Sequence, residues 1–266
     1  MSLAVFQHTS ELAERTAAAI TDFQRDYPQF SFDEQLLKPA SRFVTRGKLF
    51  RGSVCLTVSA ALSGQHQPSS AAWPAAVALE LAGSAILMQD DVMDNALLRR
   101  DETTLHRVYQ QHWQGAEVDK ARFGESMSVC VSDTLFFVAT QQLAKAPVDD
   151  AVRIQLLSAM SEQIATLALA QAEELRMSAL PLTDPSITEE SITQVIVGKT
   201  ARYTAMWPLE FAGILALAGV ETMTALREFG KLMGIIFQIS DDRLGLFGDP
   251  AITGKDADSD AKTAKK

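Results

Sequence analysis

The sequence predicts one all-α domain, and three observations predict it. Aromatic residues make up only 7% of the 266 residues, while Ala and Leu abound. That composition disfavours a β-sandwich, whose strands draw on aromatic and β-branched side chains. Turn signals recur at intervals that leave helix-length segments between them. Those segments carry apolar residues at mixed spacings of three and four, with no convincing strand pattern. No internal repeat or low-complexity linker interrupts them. Residues 1–266 are therefore expected to form a single domain, long enough to bury a core.

Residues 1–16 carry His8, Glu11, Glu14 and Arg15 and lack the unbroken apolar run of a signal peptide. The first segment breaks at Tyr27-Pro28, and a second break runs from Ser63-Gly64 through Pro68-Ser69-Ser70. Residues 77–88 are apolar nearly all round, so their helix is expected to be buried on every side. Pro147 to Asp150 precedes the long helical segment 151–177, which ends before the turn signals from Leu180 to Ser186. Asp184-Pro185-Ser186, followed by Ile187-Thr188-Glu189-Glu190, reads as a helix start with a capping residue and acids in the first turn. Segment 221–240 is the last helical stretch before Gly248-Asp249-Pro250, and its part 232–239, also apolar all round, is expected to be buried. The most apolar windows, 71–88 and 203–220, each hold a Pro and a Glu (Pro74 and Glu80; Pro208 and Glu210), so neither is a good bilayer span.

Charge narrows the function classes. With 33 acidic against 24 basic side chains the formal net charge is −9, and the pI is near 5.0. Binding to nucleic acid or to an anionic membrane needs basic surface, so neither partner is expected. An anionic ligand would need local basic residues or a metal to offset the field. Cys55 and Cys130 form no CxxC pair and no disulfide framework. They are expected as two small buried hydrophobes in a reducing, cytoplasmic setting.

Both all-apolar helices run into adjacent aspartates, Asp90-Asp91 and Asp241-Asp242. Carboxylates resist desolvation, and a helix C-terminus already carries partial negative charge, so acids placed there twice are aimed at something positive. Asp90 and Asp94 are spaced i, i+4 and share one helical face. Carboxylates at that spacing repel unless a hard cation bridges them. Magnesium suits such a site, because it takes a couple of carboxylates and fills its other positions with water and phosphate oxygens. The second cluster, Asp241-Asp242-Arg243-Leu244-Gly245, has glycine at the corresponding position and offers fewer ligands. Lys48, Arg51, Arg99, Arg100, Lys199 and Lys255 supply basic groups around these acids. Singly each reads as a solvated surface charge, but metals facing phosphate with Arg and Lys on the remaining oxygens is how proteins hold a diphosphate.

In these residues the chain resembles the trans-isoprenyl diphosphate synthases, or polyprenyl synthetases. Asp90-Asp91-Val92-Met93-Asp94 resembles the family's first aspartate-rich motif, and Phe237-Gln238-Ile239-Ser240-Asp241-Asp242 the opening of its second. Gly47-Lys48 and Arg51 match its isopentenyl-diphosphate grip, Arg99 its allylic-diphosphate arginine, and Arg100 the next arginine. The segment Ala170-Gln171-Ala172-Glu173-Glu174 resembles its GQxxD stretch, Lys199-Thr200 its KT pair, and Gly254-Lys255 its post-motif lysine. The resemblance implies an isoprenoid synthase-type helical bundle around a central apolar cavity. It also implies a head-to-tail 1'-4 condensation of an allylic diphosphate with isopentenyl diphosphate, in a homodimer. Metal would sit on Asp90, Asp91, Asp94, Asp241 and Asp242, as three magnesium ions with substrate bound. Arg99, Lys199 and Lys255 would hold the allylic diphosphate, with Gln171 among the substrate-binding residues, while Thr200 and Gln238 would supply dipoles to the allylic cation. Lys48, Arg51 and Arg100 would place isopentenyl diphosphate, and the departing diphosphate would take the proton. Ser84, Ala85 and Ile86, on the turn before Asp90, would set product length. Where the family stops growth at fifteen carbons with bulky aromatics, these residues leave room, which points to a twenty-carbon geranylgeranyl product.

The chain also departs from the family pattern. Gly83 replaces a histidine or glutamine contact to isopentenyl diphosphate, Gln89 a histidine, Gly245 the last acid of the second motif, and Asp258 a glycine. Full-length relatives continue for several helices past the position of Lys266, so C-terminal helices are expected to be missing here. A non-catalytic or regulatory subunit of a hetero-oligomeric synthase is the alternative, and a class I terpene cyclase is a more distant one.

Overall fold

The computed structural model describes residues 4–27, 36–181 and 183–247. It divides into two units, Met1–Arg153 and Ile154–Lys266, with the boundary in the first turn of a long helix. Apart from one two-residue hairpin, the described elements are helical, as the composition and spacing predict.

The first unit runs through α1 (Thr9–Asp26), α2 (Lys38–Thr45), α3 (Phe50–Leu62) and α4 (Ala72–Met93). A hairpin of β1 (Leu98–Arg99) and β2 (Glu102–Thr103) follows, then α5 (Leu105–Gln110) and α6 (Lys120–Ala144). Helix α4 is the centre of this unit and packs chiefly against α6 and α3. Fourteen of its residues are buried, among them every position from Ala75 to Ala85, so the expectation for the 77–88 stretch holds except at Ile86 and Leu87, which are half-buried. Small side chains at Ala75, Ala76, Ala78, Ala82, Gly83 and Ser84 let neighbouring helices close on all sides. It is long and apolar enough to cross a membrane, but 78% of its apolar window is buried by protein, as befits a core helix. Gly52, in the first turn of α3, shows how closely that helix approaches: a Cβ there would stand 2.9 Å from the Ala76 carbonyl oxygen.

The second unit holds most of α7 (Asp150–Ser178), then α8 (Glu189–Ile196), a π-helical segment (Val197–Met206), α9 (Trp207–Leu215) and α10 (Val220–Phe247). The capping residue of α8 is Thr188, whose hydroxyl accepts from the Ser191 amide while the Ser191 hydroxyl accepts from the Thr188 amide. Asp184 instead closes a turn by accepting from the Ser186 amide at 2.9 Å. The helix thus starts a few residues later than the Asp-Pro signal alone suggests. Two glycines of α10 seat it on the π-helical segment: a Cβ at Gly234 would lie 2.1 Å from Ala201 Cα, and one at Gly230 2.9 Å from Met206 Cα.

Three sequence expectations need correction. Residues 232–239 are not buried all round: Leu232, Met233, Ile236, Phe237 and Ile239 are exposed among the described residues. The cause is the glycine face, which α10 turns toward the π-helical segment, leaving the large apolar side chains on the other side. Cys130 is exposed on α6, and only Cys55 is buried. A hairpin also exists where no strand pattern was legible. Its two loop residues, Arg100 and Asp101, both adopt positive φ, 54° and 62°, the backbone that two-residue hairpins require and that usually calls for Asn or Gly.

Candidate active site

In the first unit the helical register does what the spacing implies. Asp90 sits in the last turn of α4, Asp94 caps it, and the Asp94 amide donates to the Asp90 carbonyl at 2.8 Å. Asp91 projects into the core and is 1% exposed. Arg99 ties the two adjacent acids together, with Nε donating to Asp91 Oδ1 at 2.6 Å and a terminal nitrogen to Asp90 Oδ2 at 3.1 Å. Burial pushes the Asp91 carboxyl up to about 6; Arg99 opposes this, and the charges of Asp90 and Asp94 add to it.

The hairpin explains why two adjacent arginines do different things. Arg99 lies on β1 and turns back to the α4 acids, whereas Arg100 occupies the left-handed turn and reaches the loop before α3. There a guanidinium N–H of Arg100 donates to the Arg46 carbonyl. Gly47, at φ +100°, passes so close that a Cβ would stand 2.6 Å from an Arg100 nitrogen. Leu49 also has positive φ, at 43°, just before α3. Lys48 is exposed on this loop, and Arg51, in the first turn of α3, is half-buried. One hairpin thus brings the acid cluster and the basic loop side by side.

In the second unit the π-helical segment and α10 carry the other candidates. Lys199 donates to Glu174 of α7 at 2.5 Å. The Thr200 hydroxyl donates to Gln238 Oε1 at 2.6 Å, and Gln238 Nε2 donates to Asp242 Oδ1 at 2.6 Å. Asp241 is half-buried on the same helix. Gln171 is buried, and its amide nitrogen has no hydrogen-bond partner among the described residues. Lys255 lies outside the described residues. Ser84 and Ala85 are buried on α4, and Ile86 is half-buried.

These clusters fit a hard cation by donor type, since every ligand candidate is a carboxylate oxygen. The buried Asp91 Oδ2 has no hydrogen-bond partner among the described residues. Among the same residues no three His, Cys, Asp or Glu side chains converge as a ready-made metal cage. Magnesium needs no such cage, because one or two carboxylates suffice when phosphates complete its shell.

The polyprenyl synthetase profile matches residues 33–266. The chain belongs to that family. It is 27% identical over 219 residues to a geranylgeranyl diphosphate synthase of Mycobacterium tuberculosis, covering 82% of this chain and 56% of the relative. It is 29% identical over 237 residues to an octaprenyl diphosphate synthase of Escherichia coli, covering 89% and 66%. The chain therefore spans between 56% and 66% of the length of these two curated relatives. Among solved structures, a geranylgeranyl pyrophosphate synthase from Corynebacterium glutamicum, complexed with isoprenyl diphosphate and magnesium, superposes with a TM-score of 0.84 at 25% identity. That match covers 98% of this chain and 74% of the neighbour. The all-α architecture is that of these polyprenyl synthetase neighbours.

Two contacts of the candidate residues are not legible in the sequence. Glu174 was noted only as part of a motif, not as the partner of Lys199. Asp133 of α6, which accepts from Gln89 at 3.2 Å, had no local signal, because a contact between two helices far apart in sequence leaves no periodicity.

Proposed function

We propose that this polyprenyl synthetase condenses an allylic diphosphate with isopentenyl diphosphate in a magnesium-dependent 1'-4 elongation. The supporting observation is the hairpin that sends Arg99 to Asp90 and Asp91 and Arg100 to the Gly47–Arg51 loop. Two adjacent basic grips, one bonded to the paired acids and one to the neighbouring loop, are what two different diphosphates require.

Asp90 and Asp94, with Asp241 and Asp242 on α10, are the residues that would hold magnesium, which when bound supplies Lewis-acid neutralisation of a departing diphosphate. Arg99 and Lys199 hold the allylic diphosphate while its carbon–oxygen bond breaks. Both are already engaged by carboxylates, Arg99 by Asp90 and Asp91 and Lys199 by Glu174, so substrate exchanges one anionic partner for another. Thr200 and Gln238 face the allylic cation with dipoles whose orientation the Thr200–Gln238–Asp242 hydrogen bonds fix. Lys48, Arg51 and Arg100 place isopentenyl diphosphate so that its double bond meets the cation, and the released diphosphate accepts the proton lost in forming the new double bond. The product reading is the twenty-carbon geranylgeranyl diphosphate, with Ser84, Ala85 and Ile86 at the growing tail. The oligomer is read as a homodimer in the cytoplasm, with three magnesium ions per site.

The test incubates the purified chain with magnesium, labelled isopentenyl diphosphate and allylic diphosphates of five, ten and fifteen carbons, and then sizes the products. A twenty-carbon linear product is expected, and Asp90→Ala, folded by circular dichroism, should lose it. Cyclic hydrocarbon would make the protein a terpene cyclase. Inactivity relieved only by a second, active chain would make it a regulatory subunit.

A further inference from the structure

The most apolar helix of the first unit contains one buried acid whose role the proposed reaction does not use. Glu80 lies in the middle of α4 and is 5% exposed. A carboxylate in such a place needs partners, or it stays protonated or disrupts the core. Its partners are on another helix. The Gly52 amide donates to Glu80 Oε1 at 2.7 Å. The Arg51 amide bonds to the same carboxylate, and the charges of Arg51 and Arg100 both bear on it. Burial raises the Glu80 carboxyl, while Arg51, the Gly52 amide, Arg100 and the Arg51 amide each pull the other way.

The amides of Arg51 and Gly52 are among the first-turn donors of α3 that have no partner inside their own helix. Leu49, at the N-cap position, offers no side-chain acceptor. Glu80 therefore caps α3 from a distant helix, and does so with a charge at the positive end of the helix dipole. Gly52 makes the approach possible: a Cβ there would meet Leu12 Cδ2 at 2.6 Å, the Ala76 carbonyl oxygen at 2.9 Å and Glu80 Cγ at 3.2 Å. Arg100 meets the same loop from the other side, at the Arg46 carbonyl and against Gly47. The buried carboxylate thus lies within electrostatic reach of two of the three basic residues read as the isopentenyl-diphosphate grip.

We propose that Glu80 is a positioning residue for the acceptor diphosphate. It anchors the first turn of α3 and serves as the shared counter-ion that keeps Arg51 and Arg100 aimed at one anion. This rests on the reading of Lys48, Arg51 and Arg100 as the acceptor grip. Glu80 touches no reacting atom. It spaces two like charges that would otherwise repel, at the end of a loop whose Gly47 and Leu49 already hold unusual backbone angles.

The experiment measures steady-state kinetics for both substrates in the wild-type chain and in Glu80→Gln, Gly52→Ala and Glu80→Asp, each checked for folding by thermal melting. Glu80→Gln keeps the amide acceptor and removes the charge. It should raise KM for isopentenyl diphosphate about tenfold, the effect expected of one charge-assisted contact, and leave the allylic KM and kcat within about twofold. Gly52→Ala keeps every charge but pushes α3 off the carboxylate, and should show the same selective rise. Glu80→Asp should fall between wild type and Glu80→Gln. Equal rises in both KM values, an unchanged isopentenyl KM, or loss of folding in all three variants would overturn the proposal and leave Glu80 a structural cap. If the wild-type chain makes no product, the elongation reading fails separately. Calorimetric titration with isopentenyl diphosphate alone then tests Glu80, since a wild-type affinity matched by Glu80→Gln would overturn its role.

Discussion

At the scale of single residues, burial rather than identity decides what an ionisable group does. Asp90 and Asp91 are neighbours of the same type, yet Asp91 is driven into the core as the counter-ion of Arg99 while Asp90 stays on the face it shares with Asp94. His106 follows the same logic. It is 1% exposed, and neither ring nitrogen has a hydrogen-bond partner among the described residues. Burial, helped by the charge of Arg107, pushes its pKa down to about 4. A group whose folded pKa is depressed favours the unfolded state wherever that state binds the extra proton. His106 should therefore cost no stability above pH 6.5 and progressively more as the pH falls toward 4. Urea midpoints of His106→Leu and wild type are expected to converge near pH 7 and to separate in favour of the variant below pH 6. The raised Asp91 carboxyl acts in the opposite sense, but equally in both proteins, so it cancels in the comparison. Midpoints that stay parallel across this range would place a charged partner beside the imidazole.

At the scale of elements, close backbone approach determines which face a helix presents. Helix α10 is seated by Gly230 and Gly234 on the π-helical segment. The same contact aligns Gln238 with Thr200 and leaves Leu232, Ile236 and Phe237 outward. Gly234→Ala would place its Cβ against Ala201 backbone, which has no flexible end to move aside. Overpacking of that kind costs roughly 1–3 kcal/mol. Gly219→Ala, with nothing within 4 Å of the added Cβ, is the control. Denaturant unfolding should show Gly234→Ala destabilised by that order and Gly219→Ala close to wild type. Thr200 should also lose its bond to Gln238, and product formation should fall in parallel. A Gly234→Ala variant as stable and active as wild type would mean that α10 does not depend on this contact.

Much at this scale was legible beforehand. The expected segment 151–177 matches α7 to within a residue at each end, the segment 221–240 begins with α10 but stops seven residues short of Phe247, and the all-apolar stretch before Asp90 lies in the buried core helix expected. The hairpin was not legible, because Arg100-Asp101 is an unusual pair for a left-handed turn, and only the surrounding contacts to Arg46 and the α4 acids hold it. Nor was the π-helical register at 197–206, since a change in hydrogen-bond ladder leaves the apolar spacing almost unaltered.

At the scale of the whole molecule, Asp90 and Asp94 belong to one unit and Lys199, Thr200 and Asp241 to the other. In the proposed elongation, product length would be set by the space that the growing chain enters. Ala85 is fully buried on α4, about one and a half turns before Asp90. If the proposed twenty-carbon product is made, Ala85→Phe is expected to shorten it toward fifteen, read by chromatography of the dephosphorylated alcohols. An unchanged product from a folded variant would place the growing tail elsewhere. The two curated relatives, named for geranylgeranyl and octaprenyl products, show how far product size ranges within one family.

The sequence alone determined what depends on neighbours along the chain. Helix limits follow from local turn chemistry, the pairing of Asp90 with Asp94 follows from a 3.6-residue period, and the motif order identifies the family. Tertiary structure decided what depends on distant partners. It buried Asp91, separated the tasks of Arg99 and Arg100, tied Lys199 to Glu174, and turned the Glu80 carboxylate into an anchor for α3. Each of these is a charge or polar group whose energy is set by what surrounds it in space, and no spacing along a single helix records that.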